Sequence, residues 1–326
     1  MRQRLSFSGY AWAVVVYLIG VILWGAWVRI TGSGAGCGAH WPTCHGAIIP
    51  PSPTMETLIE FTHRLSSGLC LPLVLMLLVW AFQRFPKGHR VRMATVGTLI
   101  FLLSESAVGA GLVKFELVAG DTSVARAITA TAHLINTFTL TAFAALSAWW
   151  GRSSAPAFAW HWRSRASLLL LPGLAAILLV SMMGAVTALG DTLFPTTVFA
   201  EQGLVARLRE DLSVSTHFLV QLRIVHPLLA VLSGLYLLLA LPLAQESLSE
   251  SASRRGMRWV NGLLIAQLLL GLVNILLAAP GWMQIVHLLT AVVLWLGLLL
   301  YWVWSQEQLT AQTAPQPANR SEIPTH

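Results

Sequence analysis

Four histidines, His63, His133, His226 and His287, each fall near one end of a long apolar run. Imidazole nitrogen is a good ligand for transition metals, and a porphyrin iron can take one such ligand on each face. Burying a polar ring in an apolar run is costly unless something binds it, so pairs of these histidines are candidates for holding haem iron. The competing reading is that each ring only hydrogen-bonds to a neighbouring helix. Glu60 precedes His63 by three positions and shares its helix face, which directs a carboxyl toward whatever His63 touches. Arg223 stands at the matching offset before His226. Glu105 lies in a third run and is matched by Gln267. An acid near the bilayer centre costs about 2.5–3.5 kcal/mol on insertion scales, so both carboxyls invite a functional reading, with Glu60 ranked as the catalytic candidate. A salt bridge with Arg64 is the plainer account of Glu60. Arg64 and Arg223 are candidate partners for porphyrin propionates.

Hydrophobic residues make up 56% of the 326 and charged residues 10%, which excludes a soluble globular chain. Apolar windows of spanning length, about 20 residues, fall near 10–28, 59–82, 93–113, 127–149, 167–188, 217–241, 259–278 and 283–304. They predict an all-α integral membrane protein of eight transmembrane helices. Arg2 and Arg4, then Arg84, Lys87, Arg90 and Arg92, then Arg152, Arg163 and Arg165, then Arg254, Arg255 and Arg258 fall on one side of those spans. Both N and C termini are therefore expected in the cytoplasm, with the chain in the plasma (inner) membrane. The net charge of +7 then records topology, and no nucleic-acid partner is expected. The first stretch imitates a signal peptide but lacks a small-x-small cleavage site, so it reads as a retained helix. Residues 306–326, with Pro315 and Pro317, are expected to form a disordered cytoplasmic tail.

An internal repeat ties the spans together. Gly25-Ala26-Trp27-Val28 pairs with Gly184-Ala185-Val186-Thr187, and His63-Arg64-Leu65 with His226-Pro227-Leu228. Gly111-Leu112-Val113 pairs with Gly271-Leu272-Val273, and His133 with His287. Four spans separate the equivalents, so the repeat is parallel, giving two four-helix bundles over 1–152 and 153–305 with one histidine pair each. All four histidines then lie toward the extracytoplasmic side. The other six, His40, His45, His89, His161, His217 and His326, are placed in loops, at the interface or in the tail, with no iron. A dihaem cytochrome of the b type that only transfers electrons is the rival reading, and a transporter the third.

Cys37 and Cys44 lie in the first outer loop and Cys70 within the second run. A bridge between Cys37 and Cys44 would close a small glycine-rich loop, as either a structural or a redox-active pair. Their spacing is not CxxCH, which argues against covalent haem attachment.

The run Arg29-Ile30-Thr31-Gly32-Ser33-Gly34, Cys37, Trp41-Pro42-Thr43-Cys44-His45-Gly46 and Ile59-Glu60-Phe61-Thr62-His63-Arg64 resembles the haem A synthases. With the repeat and the four histidines, the resemblance covers nearly the whole chain. It implies an enzyme that oxidises the C8 methyl of haem O to a formyl group, giving haem A for cytochrome oxidase. By that resemblance Glu60, His63 and His133 make the substrate-haem site, with Glu60 the essential acid, while His226 and His287 hold a permanent haem b. The implied partners are haem O, the lipid bilayer, a haem O synthase and an electron acceptor such as a quinone or another redox protein. A homo-oligomer is allowed. Some members carry a second cysteine pair between helices five and six; residues 189–216 here have none.

Overall fold

The computed structural model describes residues 6–152, 158–195, 216–248 and 250–313, with 205, 209 and 211–213. Among these residues there are eight long helices and no β-strand. They are α1 (Phe7–Ile30), α2 (Met55–Arg84), α3 (Arg90–Lys114), α4 (Val124–Trp150), α5 (Arg165–Leu193), α6 (Val225–Gln245), α7 (Glu250–Leu276) and α8 (Gly281–Thr313).

Local signals set most of the boundaries. Ser6, Thr54, Ser123 and Ser164 each cap a helix by accepting a backbone N–H with the hydroxyl oxygen. His89 does the same for α3, its Nδ1 accepting from Val91 N–H at 3.2 Å. Burial, and then the neighbouring Arg90 and Arg92, hold the His89 imidazole below its usual pKa, which keeps the capping lone pair available. Ahead of α6 the chain makes a helical turn, Phe218–Gln221, and a 3-10 turn, Leu222–Ile224. Pro227 has no N–H to offer the Arg223 carbonyl, so the ladder is interrupted where the α-helix begins.

Among the described residues, seven stretches are long and apolar enough to cross a bilayer: α1, α2, α3, α5, Phe218–Gln245, Ser253–Leu276 of α7, and α8. The helix α4 is missing from that group, although it is 27 residues long. It carries Thr129, Thr131, Asn136, Thr137, Thr139 and Thr141, and it packs against α1, α3, α5 and α8. A helix sheltered on so many sides contacts little lipid, so its composition need not be uniformly apolar. The peripheral helices behave oppositely. Leu65, Leu69 and Leu75 on α2, Leu228, Leu232 and Leu239 on α6, and Leu269 and Leu272 on α7 are all exposed. That much apolar surface suits lipid and not water.

Packing follows the same cycle in each half of the chain: α1–α2–α3–α4 and back to α1, then α5–α6–α7–α8 and back to α5. The seam between the cycles is made by α1, α4, α5 and α8. Trp295 of α8 donates its indole N–H to the Phe138 carbonyl of α4 at 2.9 Å, and Trp302 donates to the Ser167 hydroxyl of α5 at 3.2 Å. At the other end of the seam, Arg29 of α1 donates to the Ala188 carbonyl (2.7 Å), to Thr192 (2.6 Å) and to Gln284 (2.9 Å).

At one end, arginines lie against aromatic rings. Arg90 lies over the Trp150 and Phe158 rings, and Arg92 over Phe82. Order at this end extends past the expected start of the disordered tail. The helix α8 runs on to Thr313, and Gln306 and Glu307 are buried. Glu307 pairs with Arg152 at 2.5 Å and accepts from the Trp149 indole, while Gln306 Oε1 accepts from His161 N–H. Satisfied polar partners account for the burial of residues whose type suggested a solvated tail. The remainder of that segment, 314–326, lies outside the described residues.

Candidate functional site

Each of the four histidines rests on a glycine of the helix preceding its own. A Cβ added to Gly25 of α1 would lie 2.9 Å from His63 Cε1, and one on Gly184 of α5 would lie 3.0 Å from His226 Cε1. The corresponding distances are 3.2 Å from Gly271 of α7 to His287 and 3.8 Å from Gly109 of α3 to His133. The repeat had offered two registers for α3 and α7, one by Gly-Leu-Val and one by Glu105 and Gln267. The second describes the histidine seats: Gly109 lies under His133 as Gly271 lies under His287, whereas Gly111 faces Phe115 of its own helix end.

His226 and His287 face one another with ring centroids 6.2 Å apart and planes at 90°. His226 Nδ1 lies 3.0 Å from the Val180 carbonyl, which can only accept, so the proton is on Nδ1 and the Nε2 lone pair is left for a ligand. The Nδ1 atoms of His63, His133 and His287 are buried without a hydrogen-bond partner. Orphaned buried nitrogens are uncommon in a finished core and mark a place built around something else.

Behind the α4 and α8 histidines stand the two residues that the sequence paired. Glu105 Oε1 lies 3.3 Å from His133 Nδ1, within ion-pair range but off the line of a hydrogen bond. Its carboxylate also accepts from the Asn136 amide at 2.5 Å and from the Thr137 hydroxyl. Gln267 Nε2 lies 3.2 Å from His287 Nε2 and donates to the His287 carbonyl at 3.3 Å, while its oxygen accepts from Thr290.

Glu60 is buried, and its carboxylate is fully engaged. Oε2 accepts from Cys37 N–H at 2.7 Å, and Oε1 from Arg64 Nε at 3.0 Å and Nη2. Arg64 in turn donates to the His40 carbonyl at 2.6 Å and the Thr43 carbonyl at 2.7 Å. Cys37 and Cys44 are joined in a disulfide. The plainer account of Glu60 is therefore realised: the Glu60–Arg64 pair clamps the bridged outer loop onto α2. A Cβ on Gly36 would fall 2.4 Å from the Glu56 carbonyl, so the loop backbone lies directly against the helix start.

Arg223 does the opposite-sign version of the same work. It is buried, pairs with Asp191 at 3.0 Å and Asp211 at 3.6 Å, and donates to the carbonyls of Gly190 at 2.8 Å and Phe194. The donors of Arg64 and Arg223 go to backbone carbonyls and carboxylates within the chain. Of the remaining histidines, His217 caps the turn before α6 and stacks on Phe194, and His45 bonds the Gly36 carbonyl.

The four glycine seats were visible in the sequence only as repeat markers; a Gly one helix before each His was the available signal. Their spacing makes a graded prediction. Gly184→Ala and Gly271→Ala should displace His226 and His287 and lower the pigment retained on purification several-fold. Gly109→Ala, which meets only ordinary contact, should retain it. Equal pigment in all three variants, read from absorbance per protein, would remove the seating role.

Residues 8–299 match the cytochrome oxidase assembly protein family. The chain belongs to that family. Among curated relatives of this assembly-family chain is a "Protoheme IX farnesyltransferase" of Thermus thermophilus, 48% identical over 289 residues, covering 89% of this chain and 46% of that protein. A "Heme A synthase" of Alkalihalophilus pseudofirmus is 36% identical over 115 residues, covering 35% of this chain and 38% of that protein. The "Heme A synthase" of Shouchella clausii is 40% identical over 115 residues, with the same coverage. This family member thus spans less than half the length of the curated relatives it matches.

Proposed function

We propose that this assembly-family protein is a haem A synthase, oxidising the C8 methyl of haem O to a formyl group. The observation that carries the reading is the facing of His226 and His287. Imidazoles ligate first-row metals at about 2.0–2.1 Å, so two rings on opposite sides of one ion put their centroids about 6 Å apart; the observed 6.2 Å fits. Two protein ligands suffice where a porphyrin supplies the rest. On this reading His226 and His287 hold haem b, which relays electrons when bound, and the half from 153 to 305 is the conducting unit. His63 and His133 in the half from 1 to 152 present the substrate haem O. The packing cycle common to both halves supports a parallel duplication.

Converting the methyl to a formyl with oxygen supplied as water releases four electrons and four protons. The electrons go to a quinone or another redox protein. Glu60, one helical turn from His63, is the group assigned to stabilise positive charge or take a proton at the substrate's edge. Its carboxylate stands against the Arg64 guanidinium on α2. Arg64 and Arg223 hold the walls of the two sites, which makes their contact with propionates secondary. The basic end faces the cytoplasm with both termini, and all four histidines lie within about 14 Å of the opposite helix ends at 1.5 Å per residue. The chain is then a multi-pass protein of the plasma membrane.

Farnesyl transfer to haem is the second reading, since the Thermus thermophilus relative carries that name. Paired imidazoles at one metal's spacing favour haem oxidation, because prenyl transfer has no use for them. Supplying haem O to cells expressing the chain and extracting the pigments separates the readings. Haem A is the expected product. Farnesylated haem made from protohaem would support the second, and haem O returned unchanged would leave an electron-transfer cytochrome.

A further inference from the structure

Glu105 on α3 and Gln267 on α7 occupy matching places. Each stands four residues before the glycine that seats a histidine, and each reaches that histidine across the helix pair. A threonine hydroxyl holds each one: Thr137, four residues after His133, and Thr290, three residues after His287. The helix positions correspond, but one side chain is an acid that meets Nδ1 of its ring and the other a neutral amide that meets Nε2.

We propose that Glu105 is a positioning residue for His133, and that the acid-for-amide difference at 105 and 267 gives the two iron sites unequal reduction potentials. The inference rests on the assignment of His133 and His287 as iron ligands. Glu105 Oε1 approaches Nδ1 of His133 at 3.3 Å, so Nε2 is the nitrogen left for iron. A carboxylate behind the distal nitrogen of a ligating imidazole raises the ligand's basicity and fixes its orientation. More electron donation, and a negative charge a few ångströms behind the ring, favour the ferric state. Asn136 and Thr137 aim the carboxylate, and Asn136 is itself tied to Ser104 at 2.5 Å, so the acid cannot swing away freely. Gln267 offers His287 no charge. It keeps contacts to Thr290 and to the His287 carbonyl when an iron takes the ring nitrogen. The first site is therefore the more oxidised of the two at a given potential. That order suits a site whose porphyrin must lose electrons at its periphery while its iron stays ferric.

The test is a spectroelectrochemical titration of the purified full-length protein loaded with iron protoporphyrin IX, with electron paramagnetic resonance of the ferric form. The wild type should titrate in two components, and His133→Ala should remove the lower one. Glu105→Gln should raise the potential of that component by about 59 mV for one electron, a roughly tenfold fall in its ferric-to-ferrous ratio at a given potential, and change its ferric resonance, while leaving the upper component in place. That unmoved component reports that the variant is folded. Gln267→Glu should lower the upper component. A wild-type potential pattern and resonance in Glu105→Gln, with both haems bound, would overturn the inference alone. Failure of the wild type to bind haem through these histidines would instead overturn the reading on which it rests.

Discussion

Glu60→Gln yields a protein that keeps the pigment bound by His226 and His287 but makes no haem A. The glutamine oxygen can still accept from Cys37 N–H, so the loop contact at 2.7 Å has a substitute. What disappears is the charge opposite Arg64 and any capacity to take a proton. Removing one partner of a buried pair costs about 3–5 kcal/mol, and here that cost falls on the outer loop. A purely structural role must be separated from a chemical one, and Arg64→Met does so. It frees the clamp on the His40 and Thr43 carbonyls while keeping the acid. Thiol labelling of Cys37 and Cys44 after mild reduction reads loop opening in both variants, and extracted haem reads conversion. If Glu60 acts on the substrate, Glu60→Gln loses conversion with the loop closed. Wild-type haem A from that variant would reduce Glu60 to a clamp.

His226→Ala or His287→Ala strips the second site. Changes to groups that merely support a metal ligand commonly cost about 10–100-fold in affinity, so loss of a ligand itself should lower retained haem b by about tenfold or more. On the proposed assignment, His63→Ala and His133→Ala should leave that pigment and abolish conversion, since they would remove the grip on the substrate and not on the relay. Absorbance per protein and haem A yield, measured together on all four variants, give a two-by-two pattern. Identical pigment loss from every one of the four would dissolve the division between a substrate site and a relay site.

The histidine positions, the glycine-rich outer loop and the run of spanning helices were legible because hydropathy, residue type and spacing are local properties. The helix starts were legible for the same reason, since Ser and Thr caps act within one turn. The helix α4 reads as a span like the others, yet among the described residues it is absent from the stretches apolar enough to cross a bilayer, and it carries a series of threonines. The end of α8 misled because Gln306 and Glu307 look solvated in isolation; Arg152 and His161, more than 140 residues away, make them buried.

The sequence by itself determined that the chain is apolar, helical and studded with four ligand-type histidines, since each follows from residues counted along one strand of text. Only the tertiary structure decided what those residues face. It seats every imidazole on a glycine of the preceding helix, turns Glu60 and Arg64 toward the Cys37–Cys44 loop, and gives Arg223 to Asp191 and Asp211. The physical reason is that a side chain's partner depends on helix rotation and on elements distant in sequence. Buried hydrogen bonds and ion pairs are satisfied across the fold and not along the chain.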